Sequence, residues 1–233
     1  SDNQLGSDMQ TSISIGSAYY NGEDWDQLVQ YTMAADRFGV DQAWSAEAWG
    51  MDAIVPLAYI AAKTEHIRLG TGILQISSRV PSMIAMTAQS LDTVSKGRFS
   101  LGLGVSGPQV VEGLHGAAFA KPLSRLRECV EILRIGLAGE KLAYEGEHYV
   151  LPRPGGEGKA IRLSQPPRPN LPIYLATLGP KSLQMTGELA DGWLGTCFLP
   201  EHKEVFFGDL QTGADKAGRS LKDIDIQAGG YFE

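Results

Sequence analysis

Seven short strand-like stretches, each but the last followed by a run with helical spacing, constrain this chain more than any other feature of its sequence. The strand-like stretches fall at 12–17, 42–47, 67–73, 99–103, 172–177, 191–196 and 223–228. The first helical run opens where Asp24 and Gln27 resemble a capping box, lines one face with Leu28, Thr32, Ala35 and Phe38, and stops at Gly39. Further helices are expected over 51–63, from Pro81 with a buried stripe of Ile84, Ala88 and Leu91, and through Leu126, Val130, Leu133 and Leu137. The last two cover 180–189 and 201–217. Strict alternation with right-handed crossovers predicts a parallel α/β sheet, and this many staves point to a (β/α)8 TIM-type barrel rather than an open sheet. An eighth strand and its helices have no counterpart here, so the C-terminal part of the barrel is expected to be missing, which would leave a strand edge exposed.

The rhythm breaks once, between 139 and 170, where a Pro/Gly-rich run with short apolar stretches on either side of Gly155-Gly156 reads as an inserted hairpin or lid. It is too short for a domain, so 12–233 is expected to be a single barrel domain behind a disordered polar leader at 1–11. The balance of 20 Lys+Arg against 27 Asp+Glu leaves a net charge of -7 with no basic run, which argues against nucleic acid and membrane surfaces as partners. Cys129 and Cys197 lie far apart and read as a reduced pair in a cytoplasmic protein. No targeting signal or membrane-spanning run is read in the sequence.

Lys96-Gly97-Arg98 forms a turn into the strand at 99–103, whose far end runs into small residues that let a large flat ligand approach the backbone. Gly102, Gly104 and Gly107 also spell G-x-G-x-x-G, but the dinucleotide fingerprint needs a helix on the third glycine. Pro108 follows instead, and no helical spacing is expected before about Leu123.

In a barrel the chemistry sits where strands end, which nominates Glu47, Thr71-Gly72-Ile73, the stretch from Gly104 through Val105, Ser106 and Gly107, Thr177 to Lys181, and Thr196-Cys197. These ends are poor in acids, bases and metal ligands, and the four histidines show no metal-ligand spacing, so no metal site is expected. Neither a carboxylate pair nor a nucleophile elbow is found. A lining of glycines, small hydroxyls and backbone groups suits an organic cofactor that brings its own reactivity. Pro180 stands as a first helical residue, so the amides after it, with Lys181, make an anion site fit for a phosphate.

The run Leu91-Asp92-Thr93-Val94-Ser95-Lys96-Gly97-Arg98-Phe99, with Leu101-Gly102-Leu103-Gly104 after it, resembles the hallmark of the bacterial luciferase-like flavin and deazaflavin oxidoreductases. Gly70-Thr71-Gly72-Ile73-Leu74-Gln75, the stretch Val105 to Gly113 and Leu178-Gly179-Pro180-Lys181 resemble the branch that uses coenzyme F420. The resemblance runs from Ser12 to the last residue and implies a (β/α)8 barrel.

It further implies a deazaflavin seated by Glu47, Thr71, Gly72, Ile73, Val105, Ser106, Gly107, Thr177, Leu178, Gly179, Pro180 and Lys181, with a strand bulge and a non-proline cis peptide at about Gly72-Ile73. Glu47 corresponds to an acidic position near the ring, but Ala48 and Trp49 follow where many members have a histidine. Glu112 and His115, in the loop after the fourth strand, are the other candidates for catalytic residues, and Trp49 is a candidate stacking surface. The implied activity is hydride transfer between coenzyme F420 and a small-molecule substrate, in a homodimer. The alternatives are an FMN-dependent monooxygenase of the same superfamily and a non-catalytic flavin-binding protein.

Overall fold

The structure, a computed structural model, describes residues 10–195 and 203–228. A parallel sheet runs in the order β1 (Ser12–Ser14), β2 (Gln42–Ser45), β3 (Arg68–Thr71), β5 (Phe99–Gly104), β8 (Ile173–Leu175), β9 (Gly192–Gly195) and β10 (Asp225–Ala228). β4 (Leu74–Gln75) continues the line of β3 along β5. The sheet curls until Ser12 and Ser14 of β1 and Gln227 and Ala228 of β10 line one cavity, yet β1 and β10 do not pair among the described residues. The fold is therefore an α/β barrel of the (β/α)8 type whose sheet is not closed. The expected strands are all present, β5 longer by one residue than expected and the other six shorter.

Helices α1 (Trp25–Arg37), α2 (Ile54–Ala61), α3 (Pro81–Val94), α4 (Pro122–Leu137), α5 (Pro180–Leu189) and α6 (Lys203–Lys216) link the staves. Pro81, Pro122 and Pro180 each stand in the first turn of a helix, where the missing N–H costs nothing. The stripes Ile84, Ala88 and Leu91 on α3 and Leu126, Val130, Leu133 and Leu137 on α4 are buried in the main core. β5 is buried along its whole length, as a central parallel strand covered on both faces must be. A smaller core forms where Leu183, Trp193, Leu210, Ala214 and Ile224 bring α5, β9 and α6 together.

Three local expectations are corrected. Asp24 does stand at the N-cap of α1, but its side chain makes no capping bond, so the capping box is not formed. Phe38 is 86% exposed rather than part of the buried stripe, because α1 ends before it. Gly39, at φ +80°, and Val40 then donate back to Asp36 and Ala35, the paired bonds of a Schellman ending. A π-helix (Gln109–Leu114) follows Pro108, ahead of the helix expected near Leu123. Its i→i+5 hydrogen bonding departs from the α-helical period, so no 3.6-residue stripe is there to read.

The excursion at 139–170 does contain a hairpin, β6 (Tyr144–Glu145) against β7 (Val150–Leu151), but it turns at 146–149 and not at Gly155-Gly156. One carboxylate explains the position: Glu128 of α4, 7% exposed, accepts the backbone N–H groups of Glu147, His148 and Tyr149 at 2.7, 2.9 and 3.0 Å. Gln10 and Thr11, expected in the leader, are bonded to the fold: Gln10 accepts from Arg68, and Thr11 pairs with Asp41. Residues 1–9, Thr196, Cys197 and His202 lie outside the described residues. No helix among the described residues is long and apolar enough to cross a membrane.

Arg98 shows why the turn into β5 carries an arginine. Its guanidinium donates to the carbonyls of Ser95, Ile67, Ala61 and Thr64 and to the Thr64 hydroxyl, at 2.7 to 3.1 Å. These are the loose carbonyls after α2 and α3, so one side chain ties two helix ends to the start of β3.

Candidate active site

Aromatic side chains plug part of the barrel interior. Trp44 and Tyr174 meet edge to face inside the sheet, ring centroids 5.2 Å apart, and Trp44 lies across Gly70, where a Cβ would stand 2.3 Å from its ring. Above this plug the third stave breaks. Leu69 and Gly70 pair with Phe99 and Ser100, whereas Leu74 and Gln75 pair with Leu103 and Gly104. The offset changes from 30 to 29, so the third stave holds one extra residue, a β-bulge at 71–73.

The Gly72-Ile73 peptide within the bulge is cis, at the position the family resemblance names. A bulge strands backbone groups on the neighbouring strand, and Thr71 satisfies them. Its hydroxyl donates to the carbonyl of Gly102 at 2.8 Å and accepts that residue's N–H at 2.9 Å. Gly102 has to be glycine, since a Cβ there would lie 1.8 Å from the Thr71 carbonyl oxygen.

The bulge pushes Ile73 into the mouth of the barrel, its Cδ1 2.3 Å from where a Cβ on Gly104 would stand. On one side of Ile73 lies a cavity of about 380 Å³ lined by Gly104, Val105, Ser106, Ala176, Thr177, Leu178 and Ser182. On the other lies one of about 250 Å³ that includes Trp44, Gly72 and Leu194. Ile73, Val105, Ser106, Thr177 and Leu178 are thus brought together, while Gly72 faces the adjoining space. Thr71 is wholly buried beneath both.

Ser106 adopts φ +56°, a left-handed conformation that a non-glycine residue holds only where its surroundings fix it, and it does so at the cavity wall. Thr177 donates to Thr186, whose own hydrogen is committed to the Ser182 carbonyl, so the Thr177 oxygen keeps its acceptor capacity toward the cavity. No side chain caps α5 at Gly179, and Pro180 has no N–H, so the amides of Lys181 and Ser182 open the helix as free donors. Lys181 itself lines a larger groove of about 710 Å³ with Lys121, Arg127 and Lys216.

The acid–base candidates sit beside this cup rather than in its lining. Glu47 is 7% exposed, and its carboxylate accepts from the Ala53 and Gln75 amides at 2.9 and 3.0 Å and from Arg79 at 2.7 and 3.3 Å. Such a carboxylate acts as a brace, pinning the bulged stave to the loops after β2 and β4. Gln75 in turn places its side-chain nitrogen 3.0 Å from Nε2 of His115, so Glu47 and His115 are joined through one residue. Glu112 accepts the N–H of Phe119 and holds the π-helix loop. Trp49 is exposed and packs tilted against Tyr19, ring centroids 4.3 Å apart. Sequence reasoning missed Arg79 and the bridging role of Gln75, whose partners lie 32 and 40 residues away. Trp44 was legible in principle, since the strand alignment sets it opposite Gly70.

Comparison with known proteins gives the family of the chain. A Mycobacterium tuberculosis protein assigned the name coenzyme F420-dependent oxidoreductase is 40% identical over 228 residues, covering 94% of this chain and 65% of its own. A 5,10-methylenetetrahydromethanopterin reductase of Methanolobus tindarius is 32% identical, again over 94% of this chain and 65% of its own. Among solved structures, the coenzyme F420-dependent tetrahydromethanopterin reductase of Methanopyrus kandleri superposes with a TM-score of 0.81 at 25% identity, covering 94% and 65% of the two chains. The chain thus spans 65% of the length of each of these relatives. The model of the luciferase-like monooxygenases matches residues 7–232, and with the parallel barrel beneath that match this chain belongs to the luciferase-like monooxygenase family.

Proposed function

We propose that the protein is a coenzyme F420-dependent oxidoreductase that transfers hydride between the deazaflavin and a small organic substrate. The observation that carries this reading is the uncharged cup at the barrel mouth, bounded by Ile73, Val105, Ser106, Thr177 and Leu178, with the free amides of α5 at its edge. The names of the mycobacterial and archaeal relatives support it. A flat, largely uncharged ring fits a lining without ionised side chains, and a phosphate fits the amides of Lys181 and Ser182 beside the Lys181 ammonium.

When bound, the deazaflavin supplies the two-electron chemistry. The chain's own residues orient and enclose. Ile73, held out by the bulge, and the backbone of 104–106 would form the bed of the ring, while Val105 and Leu178 keep water from its edges. Glu47 positions this bed through Gln75 and Arg79, and His115, exposed and with Nε2 accepting from the Gln75 side-chain amide, would give or take a proton at Nδ1. A homodimer is the assembly proposed with this activity. The outward faces of α2 and α3 support it, for Val55, Tyr59, Met83, Met86 and Val94 are exposed there.

Titrating the purified protein separately with oxidised F420 and with FMN, while following absorbance and fluorescence, tests the reading. The expected result is tighter F420 binding with a perturbed deazaflavin spectrum. Tighter FMN binding with oxygen-dependent turnover would replace it with a monooxygenase.

A further inference from the structure

Another cavity, of about 300 Å³, lies next to the cup, and of its lining only Arg79 and Val105 enter the reading above. It shares Val105 and Pro122 with the cup but opens between the loop after β4, the π-helix loop and Tyr149 of the hairpin. Its walls are mostly apolar, with Ile76, Val80, Val111 and Phe119 among them, and two guanidiniums reach it, those of Arg79 and Arg125. They are not equivalent. Arg79 is neutralised by the two oxygens of Glu47. Arg125 donates to the Ala120 carbonyl at 3.0 Å and is hydrogen-bonded to Tyr149 of the hairpin; it forms no ion pair within 4 Å among the described residues, and the Glu147 carboxylate within its electrostatic reach is engaged by Lys121.

Two irregularities of the backbone converge on the same walls. Val111 belongs to the π-helix, and Lys121, between the lining residues Ala120 and Pro122, is held at φ +47°. Wide helical turns and left-handed non-glycine residues gather at ligand sites, because such conformations persist only where the surroundings fix them.

We propose that this pocket is a second small-molecule site, which takes an amphiphilic carboxylate with its apolar body against Val80, Val111 and Phe119 and its acid group on Arg125. An apolar enclosure of this size accepts a short alkyl or aryl body, and a guanidinium at its wall that is held in no close ion pair selects an anion over a neutral analogue by charge-assisted hydrogen bonds. In a chain of net charge -7, such a local positive centre also attracts a small anion to the opening. The claim stands whether or not coenzyme F420 is the cofactor.

Calorimetric titration of the whole chain with octanoate and with 1-octanol, in wild type, Arg125→Gln and Ala118→Phe, tests it. Octanoate should bind at one site more tightly than octanol. Arg125→Gln should weaken octanoate by about tenfold or more and leave octanol unchanged. Ala118→Phe, made on an exposed loop position that lines the pocket, should abolish both while circular dichroism stays native. Octanoate binding should persist in saturating F420. Absence of binding, equal affinity for acid and alcohol, or displacement of octanoate by F420 would each overturn the proposal.

Discussion

Thr71 shows how far a single residue can be read from sequence. Its place at a strand end made it a candidate cofactor contact, but both hydrogen-bonding functions of its hydroxyl are spent on Gly102, and the side chain is wholly buried. The demand for that hydroxyl arises from a register shift between two strands, which no local pattern displays. Thr71→Val keeps the shape and strands two buried backbone groups, so it should cost about 2 kcal/mol or more in urea unfolding. Thr71→Ser should cost less, as it restores the bonds. Arg98 was legible as a turn residue but not as a clamp on two helix ends. Lysine cannot reproduce the fork that reaches Ser95, Thr64, Ile67 and Ala61, and Arg98→Lys is expected to lower stability by about 2 kcal/mol, read as a lower urea midpoint at unchanged slope. Glu47 and His115 were nominated separately, and their link through Gln75 depends on contacts that only the folded rim creates.

At the scale of elements, the helices were the most legible parts, because the stripes on α3 and α4 repeat with the helical period and each begins at a proline. The excursion was legible as an insertion but not in its fold, since the turn at 146–149 is fixed by Glu128, some twenty residues away. Glu128→Gln weakens three charge-assisted bonds at once and should speed amide hydrogen exchange at 147–149 at least tenfold, with far smaller changes in α3.

A similar carboxylate joins α1 to the start of β3, where Asp36 accepts the N–H groups of residues 65, 66 and 67. Burial alone would push its carboxyl up, but the three backbone bonds outweigh that effect and hold it below its ordinary value. The stability it contributes is therefore present above the unfolded carboxyl pKa of about 3.9 and is lost as pH falls through the lower folded value. Asp36→Asn should accordingly be destabilised at pH 7, with a smaller further loss than wild type on going to pH 3.

For the molecule as a whole, the alternation of strands and helices sufficed to name a parallel barrel, because right-handed crossovers leave few other arrangements of this many staves. The cup was legible to the extent that strand ends gather at one rim. Its division by Ile73 was not, since that depends on the bulge, and the pocket beside Arg125 was hidden because a π-helix and a distant hairpin build it. The proposed homodimer, seated on the exposed apolar residues of α2 and α3, predicts a mass of about twice the chain's 25.1 kDa in light scattering, and Met86→Glu should shift that mass toward the monomer.

The measurement that bears most directly on the central claim is a fluorescence titration of F420 into wild type and into Ala176→Phe, which fills the cup from its wall. Saturable binding to wild type, weakened at least tenfold in Ala176→Phe with the fold intact, is the expected result. Equal binding to both proteins would contradict the placement of the deazaflavin at this rim.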